Sequence, residues 1–431
     1  MRQWMVAAKK ADFYAIAEKF HVDPVVARII RNREVIGEKN IRIYLGGNLS
    51  DLSDPHQMKD MDRLVEILAQ KIRKQVHIRI IGDYDVDGVT SSHLFLTALR
   101  RVGAKVDVVI PHRIQDGYGL SLHLLQQAKE DGVDTILTCD NGIAAIDEIA
   151  WAKAQKMTVL VTDHHAVPFE EHEGRRTEKK SLADAVVNPH QQDCGYPYKE
   201  LCGAGVAWNV IRVLYENYDM DKREAEDLLD FVAMATVCDV MSLTGENRIL
   251  VKEGLKRIRH TKNIGLQALM QACNVQPENI SAYHFGYVLG PCVNATGRLD
   301  TARHALRLFE TGQETEAEEI ARDLVDLNQE RKELTLQGVE MAKKLCEEGG
   351  YENDPVLVLF LPDVHESIAG LIAGRIREMY NRPVFVLTRG EEGVKGSGRS
   401  TENYSMYENM CGCAELFTKF GGHPMLSLIH I

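Results

Sequence analysis

The chain has 431 residues, 45% of them hydrophobic and 26% charged, a balance that lets a globular protein bury more than one core. Its 63 acidic and 51 basic side chains leave a net charge of −12, which excludes a broad nucleic-acid-coating surface but not a local basic channel. No stretch reaches the ~18 apolar residues of a membrane span, and the N-terminal MRQWMVAAKKADFYAIAEKF lacks the apolar core and cleavage site of a signal peptide; the expectation is a cytoplasmic protein with no membrane partner.

Residues 1–75 predict a helical entry segment, with apolar residues at helical spacing through 13–20 and 25–30 and an amphipathic helix over 61–72. From 77 the texture changes. HIRIIG, KVDVVI (105–110), DTILTC (134–139), MTVLVT (157–162) and ADAVVN (184–189) are short runs rich in Val and Ile. Helical-period segments at 92–102, 121–131 and 144–156 lie between them. Strands alternating with helices predict βαβ units and a mostly parallel sheet with helices on both faces. The charged run 171–180 reads as a loop between the fourth and fifth strands, and 203–345 as mainly helical. Within it, 314–347 predicts a long helix, either joining two domains or lying on the surface of one. A second, smaller α/β texture follows: PVLVLFL from 355, a helix over 367–380 and PVFVLT at 383–388. Nine cysteines without a C-x-x-C pair predict free thiols.

The chemical signal is where the acids fall. Asp83, Asp85 and Asp87 follow the first strand in GDYDVDG, Asp140 follows the third in CDNG, and Asp163, His164 and His165 follow the fourth. All sit at the carboxyl ends of predicted parallel strands, the edge along which open α/β sheets build their sites. Asp239, in ATVCDVM, ends an apolar segment and is expensive to bury unless paired or metal-bound. Clustered carboxylates cannot all stay ionised in a dry cleft. Divalent cations resolve the repulsion, and oxygen ligands with one or two imidazoles suit Mn²⁺ or Mg²⁺. Two such ions about 3.5–4 Å apart clamp the attacking and leaving oxygens of a phosphoryl displacement, with Asp140 a candidate bridge. Taken singly, DYDVDG is also consistent with a turn capped by aspartates, and DHH with structural histidines. An EF-hand is excluded, because Leu94 stands where its bidentate Glu is required.

With these motifs in place, the chain resembles the DHH phosphoesterases and, more closely, their RecJ branch. The matching segments are GDYDVDGVTS, PHRIQDGYGL, TCDNGIAA, VTDHH, VNPHQ, LCGAGVAW, ATVCDVMSL, NATGRLDTA, HESIAGLIAGRI, GSGRS and FGGHP, in order from about 77 to 424. The resemblance implies a DHH catalytic domain at 76–310 after the N-terminal segment 1–75, a connecting helix at 311–348 and a DHH-associated nucleic-acid-binding domain at 349–431. It implies metal ligation by Asp85, Asp87, Asp140, His164 and Asp239, with Asp83 and His165 beside them as ligands or in support. It implies two Mn²⁺ or Mg²⁺ ions and 5′-to-3′ exonucleolytic hydrolysis of single-stranded DNA to 5′-mononucleotides in repair and recombination, alongside a single-strand-binding protein and a helicase. The alternative is a DHH phosphoesterase acting on short oligoribonucleotides or small nucleotides; a metal-free scaffold with this fold would have lost ligands that are all present here.

Arg113, Arg298, Ser397 and Arg399 match family positions that grip the 5′-terminal phosphate or nearby backbone. Arginine suits that task through bidentate hydrogen bonds, and GSGRS reads as a glycine-rich turn near the phosphate. His423 in GGHP is a candidate for phosphate or base contact or for packing, and Tyr118 for base stacking or loop packing. The tail 425–431 departs from the family pattern and no oligonucleotide-binding barrel follows, so the end reads as truncated.

Overall fold

The structure, a computed structural model, describes residues 9–113, 116, 119–172, 175–351, 354–390, 393–423 and 425–430, with the backbone alone at 171–172, 175–176, 419–423 and 426–430. They form two compact units: residues up to Asn294 with Thr301–Arg322, and Ala295–Asp300 with Asp323 onward.

The first unit is built on strands β1 (Ile78–Ile81), β2 (Val106–Val109), β3 (Thr135–Cys139), β4 (Thr158–Thr162) and a later strand at Ala185–Val187. These five are the five read from the sequence, in the order β2-β1-β3-β4 and then 185–187, and every pairing is parallel. β1 and β3 lie in the middle and are buried along their whole length, which is why they are continuous apolar runs rather than alternating ones. The exception is Arg79 in β1. Its guanidinium forks onto Asp107 of β2 at 2.9 and 2.7 Å and reaches Asp131 at 2.8 Å, so its buried charge is paired. Helices Val86–Arg101, Leu122–Glu130 and Ile146–Ala154 connect successive strands. The register sets Ile81 against Thr138 and Cys139 against Thr162. The segments leaving β1, β3 and β4 therefore emerge at one rim.

The charged run at 171–180 is not simply a loop. β5 (Phe169–His172) and β6 (Arg175–Glu178) form an antiparallel hairpin, and the strand at Ala185–Val187 becomes β7. The run lacks the apolar alternation that signals a strand; its two segments pair through the backbone, with position 169 opposite 178 and 172 opposite 175. The N-terminal helices Phe13–Phe20 and Pro24–Asn32 begin on Asp12 and Asp23, whose carboxylates accept from Ala15 N and Val25 N, as N-caps do. The remainder of this unit is helical, including Gly203–Asn217 and Leu229–Cys238; a π-helical turn at Phe285–Leu289 leads into the helix Gly290–Leu299, whose residues from Ala295 belong to the second unit.

One 36-residue helix, Glu314–Gly349, links the units: it belongs to the first as far as Arg322 and to the second from Asp323. The second unit carries β8 (Leu357–Phe360), β9 (Val384–Gly390), β10 (Gly393–Arg399), β11 (Lys419–His423) and β12 (Leu426–His430) in the order β11-β12-β10-β9-β8. Only β8 and β9 are parallel. Its core joins Ala342 and Cys346 of the long helix to Leu357, Leu359, Ile372, Ile376 and Val386. GSGRS is not a turn. Ser397 sits in mid-strand, opposite Val386 on one side and Leu428 on the other, because pairing on both flanks holds these glycines extended. The glycines of FGGHP likewise lie in β11, and residues 426–430 pair as β12. Among the described residues no helix is long and apolar enough to cross a membrane, and none of the nine cysteines is in a disulfide.

Candidate metal centre

Each acid is placed by its own local structure. Asp85 caps the Val86–Arg101 helix, accepting from Gly88 N at 3.1 Å. Asp87 lies one turn in. Both its oxygens are occupied, by Gly203 N at 2.6 Å and Ala204 N at 2.8 Å. These are the first N–H groups of the Gly203–Asn217 helix, which an anion satisfies. Asp140 leaves β3 with φ +60, and its N–H donates to Thr162 O of β4 at 3.1 Å. Beside it the Asn141 amide donates to Ile81 O and Cys139 O at 3.1 and 2.9 Å, tying the ends of β1 and β3 together. Asp239 is the C-cap of the Leu229–Cys238 helix.

These side chains converge. Ligand atoms of Asp83, Asp85 and Asp140 lie within 4.8 Å of one another, as do those of Asp87, His164 and Asp239, and those of Asp140, His164 and His165. His164 Nε2 is 3.1 Å from Asp140 Oδ1 and 3.6 Å from an oxygen of both Asp87 and Asp239. The seven residues singled out for metal and catalysis thus occupy one rim, with Asp140 common to two of the three groups. Asp163 turns the other way. It accepts from Ile143 N, His164 N, His165 N and His165 Nδ1 at 2.7–3.0 Å, so it holds the backbone of both histidines and orients the His165 imidazole from behind, as residues behind a metal ligand commonly do.

The electrostatics test whether cations fit. Burial, and then the charges of Asp87, Asp85 and Asp83, push the Asp140 carboxyl well above the ordinary range. Burial and Asp85 do the same to Asp83. Asp239 is pushed up to about 8 by burial and by Asp87 and Asp85, while burial holds His164 below its ordinary value and so neutral. Asp83 Oδ1 and His164 Nε2 are buried without a hydrogen-bond partner, a costly arrangement in a protein interior. Repelling carboxylates, a neutral imidazole and orphaned donor atoms fit a pair of hard divalent cations. His165 differs: burial works against its charge, but the bond to Asp163 and the charges of Asp239 and Asp87 outweigh it and raise it to about 9.

Sequence reasoning missed the work done by LCGAGVAW. Gly203 is required by space as well as by its N–H: a Cβ there would stand 2.6 Å from Asp140 Cβ and 3.0 Å from its Cα. The small residues ahead of an apolar helical run were the available signal. Gly203→Ala is expected to weaken Mn²⁺ binding about 10–100-fold, the usual cost of disturbing a ligand's support, with unchanged far-ultraviolet circular dichroism. Wild-type Mn²⁺ affinity in calorimetry would refute this role.

Of the proposed substrate residues, Arg298, Ser397 and Arg399 address one turn of the second unit. Arg298 Nη1 donates to Ser367 O at 2.7 Å, and Arg399 Nη1 donates to Ser397 Oγ at 2.9 Å. A Cβ on Gly370 would lie 2.6 Å from Arg399 Nη2 and 2.9 Å from Ser397 Oγ. Gly370 therefore lets both approach the start of the Ala369–Tyr380 helix. Arg113 belongs to the first unit, its guanidinium 4.7 Å from the Tyr84 ring centroid. The side chain of His423, and Tyr118 altogether, lie outside the described residues.

With the geometry in hand, the comparisons are specific. Residues 77–236 match the DHH family N-terminal domain, and 353–430 the DHHA1 domain. The chain is 35% identical over 426 residues to the single-stranded-DNA-specific exonuclease RecJ of Haemophilus influenzae, covering 95% of this chain and 72% of that protein. It is 33% identical to the RecJ of Bacillus subtilis, again over 95% of this chain but half of that longer protein. The Thermus thermophilus RecJ solved with Mn²⁺ superposes with a TM-score of 0.78 at 28% identity, over 97% of this chain and 58% of the other; a second structure of that protein contains Mg²⁺. Identity at this level over nearly the whole chain, with the complete set of rim acids and imidazoles, places the chain in the RecJ family of DHH proteins.

Proposed function

We propose that this protein is a single-stranded-DNA-specific exonuclease that hydrolyses phosphodiesters from the 5′ end, releases 5′-mononucleotides and uses two Mn²⁺ or Mg²⁺ ions. The observation that carries the reading is the overlap of the acid and imidazole groups through Asp140 and His164 at a single sheet edge. Asp83, Asp85 and Asp140 would hold one cation, and Asp87, His164 and Asp239 the other, with Asp140 able to serve both. When bound, such a pair supplies a nucleophile at neutral pH and neutralises charge on the phosphoryl oxygens.

The chain's own groups supply orientation and charge. Asp163 fixes the His165 ring through Nδ1, so the imidazole is held oriented beside the site, where charge develops on the phosphate. Gly203 N and Ala204 N hold Asp87 in one rotamer. Arg298, Ser397 and Arg399 would receive the 5′-terminal phosphate beside the Ala369–Tyr380 helix N-terminus; requiring that end sets polarity. Arg113 would contact backbone phosphate, with His423 a further substrate contact. Binding would be tolerant of sequence and weakened by salt. The functional division is read as 76–310 catalytic and 349–431 nucleic-acid-binding, with 1–75 in support and the connecting helix at 311–348. Family membership supports work in DNA repair and recombination in the cytoplasm, beside a helicase and a single-strand-binding protein.

Strands of about 30 nucleotides, labelled at either end and offered single- or double-stranded with Mn²⁺ or chelator, test the reading. Loss of the 5′ label as mononucleotide, from single strands only and only with metal, is expected. Cleavage confined to two- to five-mers would favour the small-substrate alternative. Arg399→Ala is expected to raise KM for 5′-phosphorylated ends about tenfold, in line with losing a charged hydrogen bond, and to leave unphosphorylated ends unchanged. An equal effect on both would remove its phosphate role.

A further inference from the structure

The segment 281–294 is fastened to the metal centre on two sides. Cys238, the neighbour of Asp239, donates its thiol to Phe285 O at 3.3 Å, and a Cβ on Gly290 would fall 2.3 Å from Cys238 Sγ. Farther along, Asn294 Oδ1 accepts from Val86 N at 3.1 Å, between Asp85 and Asp87. Phe285 and Leu289 are fully buried and anchor the π-helical turn between these ties, an irregularity that recurs at functional sites.

This rigid segment carries two large rings in solvent. Tyr283 and Tyr287 are 63% and 73% exposed, and they stack with centroids 5.2 Å apart and planes at 24°. Val240, which directly follows Asp239, is 87% exposed. Single exposed apolar residues need no explanation, but two exposed rings stacked on each other on a segment tied to a reaction centre do. Its occupant is indicated by continuity with that centre: the backbone that carries the rings also braces the loops holding Asp85, Asp87 and Asp239. A flat aromatic surface in that position matches the π-face of a nucleobase, which every base offers regardless of sequence.

We propose that Tyr283 and Tyr287 form a base-stacking platform for the single strand leading away from the phosphodiester being cut. The platform rests on the reading of the protein as a single-strand nuclease. It gives affinity to strands long enough to reach it and none to a dinucleotide.

The test compares wild type with Tyr283→Ala/Tyr287→Ala in Mn²⁺, on a single strand of about 30 nucleotides and on a 5′-phosphorylated dinucleotide. KM for the long strand is expected to rise about tenfold, within the range for losing one stacked base, with kcat unchanged and dinucleotide cleavage unaffected. Tyr283→Phe/Tyr287→Phe should restore the wild-type KM, since the ring face and not the hydroxyl is needed. An unchanged KM on the long strand overturns the platform, and so does an equal loss on both substrates or failure of the phenylalanine pair to restore. If wild type itself leaves the long strand intact, the nuclease reading has failed instead.

Discussion

Asp140→Asn should abolish nuclease turnover, by about 10³-fold or more, while raising the stability of the metal-free protein. Asp140 is common to two of the three groups of candidate rim ligands, and its Oδ1 stands 3.1 Å from His164 Nε2. An amide keeps the shape but loses the charge that would hold cations. Roughly 4 kcal/mol of transition-state stabilisation, the equivalent of 10³ in rate, is within what metal coordination supplies. The same change relieves a burden on the metal-free fold. The Asp140 carboxyl is buried among Asp87, Asp85 and Asp83, which together push it far above its ordinary range; a neutral amide removes that repulsion. Thermal unfolding in chelator should therefore show the variant melting at or above wild type. With Mn²⁺ the order should reverse, because only wild type gains stability by mass action. Retained Mn²⁺-dependent activity, or equal metal stabilisation of both proteins, would remove Asp140 from the centre.

In chelator, stability should fall as pH rises from about 4 towards 8, the reverse of ordinary acid denaturation. Asp239 ordinarily titrates at 3.8 but reaches about 8 when folded, through burial and the charges of Asp87 and Asp85. Asp83, Asp85 and Asp140 are displaced in the same direction. Between those values the folded chain holds protons that the unfolded chain has released, so stability declines with pH. The contribution is fully present below about pH 4 and gone above about pH 8. His165, raised from 6.5 to about 9, adds the same slope between those values. His164 and His93, both lowered by burial, oppose it below 6.5, two groups against the four rim carboxylates and Asp230, which burial raises to about 6. Asp107 and Asp134 are lowered, so their losses come below pH 4, outside the window. Saturating Mn²⁺ should abolish or invert the slope, because cations bind the deprotonated ligands and gain affinity as pH rises. Urea unfolding across pH 4–8, with and without metal, measures both curves. Parallel curves would mean that these carboxylates do not form the metal centre.

Some of this architecture was legible in the linear chain. The five parallel strands were readable because a strand buried on both faces must be a short continuous apolar run, and the segments between them carried helical periodicity. The rim acids were readable because parallel strands deliver their carboxyl ends to one edge. The long helix was readable over 314–347, because that stretch has no proline and one internal glycine; the structure carries it on to Gly349. The 169–178 hairpin was not readable, because its sequence has no apolar alternation. GSGRS looked like a turn because glycine favours turns locally, and only pairing with β9 and β12 keeps it extended.

The sequence by itself determined which residue types were available at the rim and that they would face one another, since strand polarity and alternation are local properties. Tertiary structure decided the division of labour among them. It set Asp163 behind the histidines, handed Asp87 to the N–H groups of a helix more than a hundred residues away, required Gly203 to have no side chain against Asp140, and turned an unremarked π-helical segment into a brace carrying two tyrosines. Those assignments depend on distances between segments remote in the chain, which packing fixes and which no local pattern encodes.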